Sequence, residues 1–210
     1  MRRHLQRRSG RNFFPNVVIE SLSVFDVLNF CEKKDYDGLT EYLTKGIWNL
    51  AAAGAQYAAL TGITPHVVFD RLSERTPIPL ISMVDTARDF AYSQGYKRIC
   101  LLGTLPTMNG TFFQKSFAER GVTVVTPLDK EKRYVGEKIE TELELGKVMP
   151  DTQRRFCQIA ERMIREEQVQ AVVLGCTELP LIFDKIQLSV PYIDVMREHI
   201  AALIDLIASN

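Results

Sequence analysis

The chain has 210 residues, of which 46% are hydrophobic and 25% are charged, and its 26 basic residues equal its 26 acidic ones. A chain of this length can bury a sizeable core, as one domain or as two small ones. The balanced charge excludes a global field that attracts nucleic acid, and no apolar stretch approaches the roughly 20 residues of a membrane span, so we expect neither nucleic acid nor membrane as a partner.

The chain opens with MRRHLQRRSGR, which contains five arginines and no acidic residue. This composition fits a transit peptide, a polyanion-binding arm or the cationic C-terminal end of a helix that stops at Gly10. We favour the helix end, because the segment lacks the length and the serine-rich character of a transit peptide.

Strands and helices then alternate along the chain. Hydrophobic periodicity and turn residues predict strands at 16–23, 56–60, 78–82, 97–102, 122–125, 171–174 and 190–193. They predict helices at 35–53, 65–73, 85–94, 108–120, 131–145, 151–167 and 196–208, and a loop over GTLPTMNG at 103–110. This alternation is typical of an α/β fold in which helices cover both faces of a mostly parallel sheet.

A weak internal repeat divides the chain. YAALTGITPHVVF precedes IPLISMVDTA, and AVVLGCTELPLIF precedes VPYIDVM; each pair reads as a strand, a polar turn opening a helix, and a Pro-led strand that ends near Asp85 or Asp194. Two such units facing each other would direct both turns into one cleft. We therefore expect an N-terminal α/β half over residues 1–90, a C-terminal α/β half over 91–190, and a closing strand and helix over 191–210.

Cysteines are scattered at positions 31, 100, 157 and 176, without the close pairs of a zinc or redox motif. The absence of a secretory pattern favours reduced thiols and a cytoplasmic protein. Cys176 differs from the others because it lies between a buried strand and a helix. Backbone N–H groups and the positive end of the helix dipole at that position are expected to favour the thiolate. The sequence thus predicts a base or nucleophile at the carboxyl edge of the sheet.

LGCTELPL at 174–181 and LLGTLPTM at 101–108, together with TPH at 64–66 and IETELELGK at 139–147, resemble the aspartate/glutamate racemase superfamily, in particular its aspartate racemase branch. The resemblance implies two Rossmann-like subdomains with an active site between them, no pyridoxal phosphate or other cofactor, no metal, and commonly a homodimer. It also implies a small-molecule amino acid or dicarboxylate as substrate. In the implied mechanism one cysteine removes the α-proton from one face and a second returns a proton to the other.

Cys176 matches the second catalytic cysteine of that family. The first turn of the family reads Cys-x-Asn-Thr-x-His, whereas this chain has Thr61 in place of the cysteine and Ile63 in place of the asparagine. A threonine hydroxyl is a poor base unless another group activates it. Thr61 is therefore the candidate partner of Cys176, in an altered form that predicts impaired or one-base activity.

Further candidates lie in the turns, where each has a substrate-binding interpretation and a structural one. Hydroxyl groups could bind a substrate carboxylate or cap a helix, Glu178 could bind an ammonium group or suit a helix dipole, and His66 could bind substrate or serve the core. The substrate-binding candidates are Thr64, His66, Thr104, Thr107, Thr177 and Glu178.

Family members open with a Gly-rich strand, whereas this chain starts in what would be the following helix. We therefore expect the first strand of the N-terminal half to be missing, which would expose a sheet edge. Two functions remain open: an amino-acid racemase without cofactor, and a catalytically silent protein that keeps the fold and binds a small dicarboxylate or amino acid.

Overall fold

The computed structural model describes residues 16–184 and 186–209. The arginine-rich opening and the predicted helix end at Gly10 lie outside these residues. The described strands are β1 Ala58–Ala59, β2 Leu80–Ile81, β3 Arg98–Gly103, β4 Thr123–Val125, β5 Ala171–Gly175 and β6 Tyr192–Asp194.

Helices connect and cover these strands. They are α1 Val24–Glu32, α2 Tyr36–Ala52, α3 Phe69–Ser73, α4 Met83–Ser93, α5 Leu105–Asn109, α6 Phe112–Ala118, α7 Asp129–Thr141, α8 Pro150–Glu167, α9 Leu179–Phe183 and α10 Val195–Ser209, with short 3₁₀ helices at Thr64–Val68 and Leu143–Leu145. No helix among the described residues is long and apolar enough to cross a membrane.

All strand pairs are parallel. β1 pairs with β2, and the larger sheet has the order β4-β3-β5-β6. Each parallel pair requires a crossover, and helices supply these crossovers. The structure therefore confirms the predicted α/β class with parallel sheets.

The larger sheet carries the main core on both of its faces. Alternate residues of β3 point to opposite faces, so Cys100 and Leu102 pack with α7, α8 and α9, while Ile99 and Leu101 pack with α4, α6 and α10. All five residues of β5 are buried, as expected for a strand covered on both faces. The smaller sheet packs against a separate cluster formed by α1, α2 and α3.

Two sequence predictions in this fold are wrong. Residues 16–23 form no strand but an irregular segment with exposed apolar side chains such as Ile19, and Ser23 then caps α1, which was not predicted. Residues 103–110 are not all loop, because Thr104 accepts a hydrogen bond from the Thr107 backbone N–H and Pro106 suits a first helical turn, which together begin α5. In the second place local capping decided the outcome, whereas among the described residues 16–23 have no strand beside them with which to pair.

Candidate active site

Two adjacent strands end side by side at the candidate site. Gly103 of β3 lies in register with Gly175 of β5, and a Cβ added at Gly103 would lie 2.7 Å from the Gly175 carbonyl oxygen. Only glycine permits this approach. Thr104 and Cys176 follow these glycines directly, so the carboxyl ends of both strands bring a hydroxyl and a thiol to the same edge of the sheet.

The Cys176 thiol is nearly buried, with 8% of the residue exposed. Its Sγ donates a hydrogen bond to Oε2 of Glu178 at 2.9 Å, and the Thr177 hydroxyl lies 2.7 Å from the same oxygen. Burial raises the pKa of the Cys176 thiol, and the negative charge of Glu178 raises it further.

The expectation that the strand–helix turn favours a thiolate is therefore wrong for the free protein. The Glu178 backbone N–H does lower the Cys176 pKa, as expected, but burial and the Glu178 carboxylate outweigh it. α9 is also only five residues long. The thiol is consequently protonated at neutral pH in the free protein.

Three threonine hydroxyls form a cluster that joins the 3₁₀ helix at Thr64–Val68 to the start of α5. Thr64 Oγ1 lies 3.1 Å from Thr104 Oγ1 and 3.4 Å from Thr107 Oγ1, and the Thr104 and Thr107 hydroxyls are 3.0 Å apart. All three residues are buried. A hydroxyl both donates and accepts, so the cluster can turn its protons toward a bound carboxylate.

His66 is held by the backbone through both ring nitrogens. Nε2 accepts a hydrogen bond from the Met83 N–H at 3.1 Å, so Nδ1, 2.9 Å from the Gly62 carbonyl oxygen, carries the proton and donates it. Burial lowers the pKa of His66 to about 4. The neutral ring thus ties the first turn to the start of α4, which supports a structural role; its substrate-binding role stays a prediction.

A cavity of about 420 Å³ opens beside these groups. Of the residues predicted from the sequence, Thr64, Thr104, Cys176, Thr177 and Glu178 line it. Thr107 lies behind Thr64 and Thr104 in the cluster, and His66 lines a neighbouring groove instead.

Thr61 is not brought to this cavity. The residue is exposed and lies outside the set of lining residues, whereas Ile63, two positions further on, is buried and lines it. The structure therefore places the candidate thiol inside the cavity and its predicted partner outside, and the catalytic role of Thr61 remains a prediction.

Sequence reasoning missed two walls of the cavity. One is α1, which contributes Val24, Phe25, Val27 and Leu28. The other comes from the end of α7 and the following 3₁₀ helix, with Glu140, Glu144 and Leu145. The spacing of Glu140 and Glu144, four residues apart, was a usable signal because such residues share one helix face.

Within residues 16–184 and 186–209, no group of three histidine, cysteine or acidic side chains is arranged to hold a metal ion. The polar groups that line the cavity are instead the thiol, the hydroxyls and the three glutamates already described.

A model of the Asp/Glu/hydantoin racemase family matches residues 1–203, and the chain belongs to this family. The resemblance to aspartate and glutamate racemases noted in the sequence is thereby confirmed at the level of the family. Among curated proteins, the broad-specificity amino-acid racemase RacX of Bacillus subtilis is 24% identical over 161 residues, which cover 76% of this chain and 68% of RacX.

Solved structures that are similar to this chain are consistent with this family membership. An aspartate racemase homologue from Pyrococcus horikoshii is 30% identical with a TM-score of 0.82, covering all of this chain and 91% of the homologue. A Yersinia pestis protein described as a putative Asp/Glu racemase is 25% identical with a TM-score of 0.87, covering 100% and 90%. A glutamate racemase from Francisella tularensis, 16% identical with a TM-score of 0.63 over 83% of this chain and 65% of that enzyme, shares the fold.

Proposed function

We propose that this protein is an amino-acid racemase of the aspartate/glutamate type, which removes and returns the Cα proton without pyridoxal phosphate, with Cys176 as the acid/base group. The observation that carries the proposal is the position of the Cys176 thiol, which lies in a cavity at the carboxyl edge of the sheet together with the hydroxyl-bearing residues Thr64 and Thr104. A base and preorganised donors are the two elements that α-proton abstraction requires.

The substrate itself activates the thiol in this proposal. In the free protein burial raises the pKa of the Cys176 thiol, and the Glu178 carboxylate raises it further. A substrate ammonium group beside Glu178 offsets that charge, which favours ionisation of the thiol. The thiolate then takes the Cα proton, forming an S–H bond while the C–H electron pair moves into the substrate carboxylate.

The threonine cluster stabilises the charge that develops on that carboxylate. Thr64 and Thr104 line the cavity, and Thr107 supports both by hydrogen bonding. Donors already in position cost no reorganisation during the reaction. Return of the proton by Cys176 to the same face gives exchange without inversion.

Inversion requires a proton from the opposite face, and we assign this to Thr61. Its hydroxyl is a weak acid and base, and the residue is exposed. Inversion is therefore slower than exchange, and the two enantiomers exchange at unequal rates.

The test is incorporation of deuterium from D₂O at Cα of D- and L-amino acids, followed by nuclear magnetic resonance. We expect exchange that is faster for one enantiomer and that falls at least about a thousandfold in Cys176→Ser. Cys157→Ser is the matched control, because Cys157 is a partly buried thiol on α8 that does not line the cavity.

The exposed position of Thr61 also favours the second candidate, a silent protein that keeps the fold and binds an amino acid or dicarboxylate. Binding without Cα exchange, unchanged in affinity by Cys176→Ser, would select this candidate over the racemase.

A further inference from the structure

The candidate cavity has an acidic wall. Glu178 lies beside the thiol. Glu140 at the end of α7 and Glu144 in the following 3₁₀ helix belong to a different segment of the chain that also lines the cavity. Among the residues that the structure describes, no lysine or arginine lines the cavity. Three carboxylates therefore share a space that the proposed substrate must enter.

These carboxylates act on one another. Burial raises the pKa of Glu144, and the charges of Glu178 and Glu140 raise it further. The Glu144 charge also contributes to the raised pKa of Cys176. The cavity thus carries negative charge on the partly buried Glu144 and Glu178, with the exposed Glu140 beside them, and a cation that enters it would offset this charge.

The glutamates of this segment differ in their partners. Glu142 is hydrogen-bonded to Lys138 at 2.8 Å and to the Thr152 hydroxyl at 2.6 Å. Within the described part of the chain, Glu140 and Glu144 make no ion pair, although they flank Glu142 in the sequence. Glu140 and Glu144 therefore line the cavity without a paired cation; Glu137, exposed on α7 outside the cavity, makes no ion pair among the described residues either.

Resting on the proposed racemase function, we propose that the cavity selects an amino acid with a cationic side chain, an ammonium or guanidinium group that pairs with Glu140 and Glu144 while the α-ammonium group lies near Glu178. A lysine-like substrate brings two cations and one carboxylate to this wall. Aspartate or glutamate brings one cation and two carboxylates, and the second carboxylate would enter a space that is already negative.

The size of the cavity agrees with a long side chain. Its volume of about 420 Å³ lies in the range of small-molecule sites and leaves room beyond the reacting Cα. The apolar side chains of α1, among them Val27 and Leu28, line it as well. They provide a surface for the methylene stem of a lysine or arginine, whose charged end then reaches the acidic wall.

Lys34, Arg88 and Lys115 line the neighbouring groove, which shares Phe25, Leu28, Thr64 and Glu140 with the cavity. Arg88 in that groove is already paired with Asp85 at 2.8 Å and bonded to Ser116. A substrate with an acidic side chain would have to extend into this groove to meet a positive charge, and preference for such a substrate is the outcome that overturns the proposal.

The experiment compares Cα deuterium exchange by the full chain for lysine, arginine, alanine, aspartate and glutamate, each as both enantiomers. We expect kcat/KM to be at least about tenfold higher for lysine than for aspartate. In Glu144→Gln, KM for lysine should rise roughly tenfold with little change in kcat, while values for alanine change less than about twofold. Glu137→Gln is the matched control, since Glu137 is exposed on α7 outside the cavity.

The outcomes separate this proposal from the function on which it rests. Exchange that is faster for aspartate than for lysine, or a Glu144→Gln effect equal for lysine and alanine, overturns the charge selection and leaves the racemase function standing. If no amino acid exchanges, the racemase function fails, and calorimetric binding decides the rest: tighter binding of lysine than of aspartate supports the charge selection, and the reverse, or binding of neither, overturns it.

Discussion

The two turns of the candidate site lie in different structural settings. The first turn, residues 61–66, follows β1, a strand of two residues in a two-stranded sheet, and it leaves Thr61 exposed. The second follows β5, a strand of five buried residues that pairs with β3 on one side and β6 on the other, and it holds Cys176 almost fully buried. The strand that is paired on both sides therefore carries the more deeply buried of the two candidate catalytic residues.

The polar residues of the two turns also have different partners. In the first turn, Thr64 and His66 are bound to other parts of the protein, the one to Thr104 and the other to backbone groups of Gly62 and Met83. In the second, Thr177 and Cys176 both direct hydrogen bonds to Glu178, inside the cavity. The first turn therefore builds a rigid wall, and the second presents the groups whose protonation a substrate can change.

The largest effect that distinguishes the turns is expected from Gly175→Ala. A Cβ at this position would lie 2.6 Å from Leu101 Cδ1 and 2.7 Å from the Leu102 carbonyl oxygen, so β5 must move away from β3. We expect the free energy of unfolding to fall by about 2 to 3 kcal/mol. Displacement of Cys176 should also lower Cα exchange by roughly a hundredfold. Urea unfolding and the exchange assay measure the two losses.

Gly62→Ala is the matched control in the first turn. The added Cβ would meet Pro65 Cδ at 3.6 Å, an ordinary contact distance. Equal destabilisation by the two substitutions would contradict the view that the second turn alone depends on a close approach of strands.

The sequence predicted the central strands and missed the structure at the edges of the site. β3 and β5 are continuous apolar runs, which is the pattern of a strand buried on both faces. Val17, Val18 and Ile19 form a similar apolar run, yet they remain exposed and outside both described sheets, because strand formation depends on a neighbour that composition does not reveal.

The site was predictable where it depends on turn position. Cys176, Thr177, Glu178 and Thr104 follow strand ends and all line the cavity, while their catalytic and binding roles stay predictions. The acidic wall at Glu140 and Glu144 was missed because it forms only when the end of α7 packs across the cleft. The sign of the Cys176 pKa shift was missed because it depends on burial and on the direction of the Glu178 side chain.

A smaller effect is expected from the protonation of His66, the buried group of the first turn. Its pKa of about 4 lies below its ordinary value of 6.5, so the unfolded chain takes up a proton before the folded one does. Stability from this group is therefore complete above about pH 6.5 and is lost as the pH falls toward 4. At pH 5 the loss should be about 2 kcal/mol.

The measurement compares urea unfolding at pH 7 and pH 5 for the protein and for His66→Phe. The variant should be less stable at pH 7 and should lose about 2 kcal/mol less on acidification. His199, whose pKa is also lowered by burial, is present in both proteins, and its charge contributes to the lowered pKa of His66. The same loss in both would contradict the assignment of a buried neutral imidazole to the first turn.

The smallest effect is expected from Thr61→Cys, which tests whether the exposed residue of the first turn reaches the substrate at all. An exposed thiol has a pKa near 8.5 and is partly ionised at neutral pH, whereas a hydroxyl is not. If Thr61 faces the opposite side of Cα, the variant should raise the exchange of the slower enantiomer about tenfold and leave the faster one nearly unchanged. Thr61→Ser retains the hydroxyl and should leave both rates unchanged. Equal rates for Thr61→Cys and Thr61→Ser would mean that the first turn only shapes the cavity, and that all proton transfer passes through Cys176.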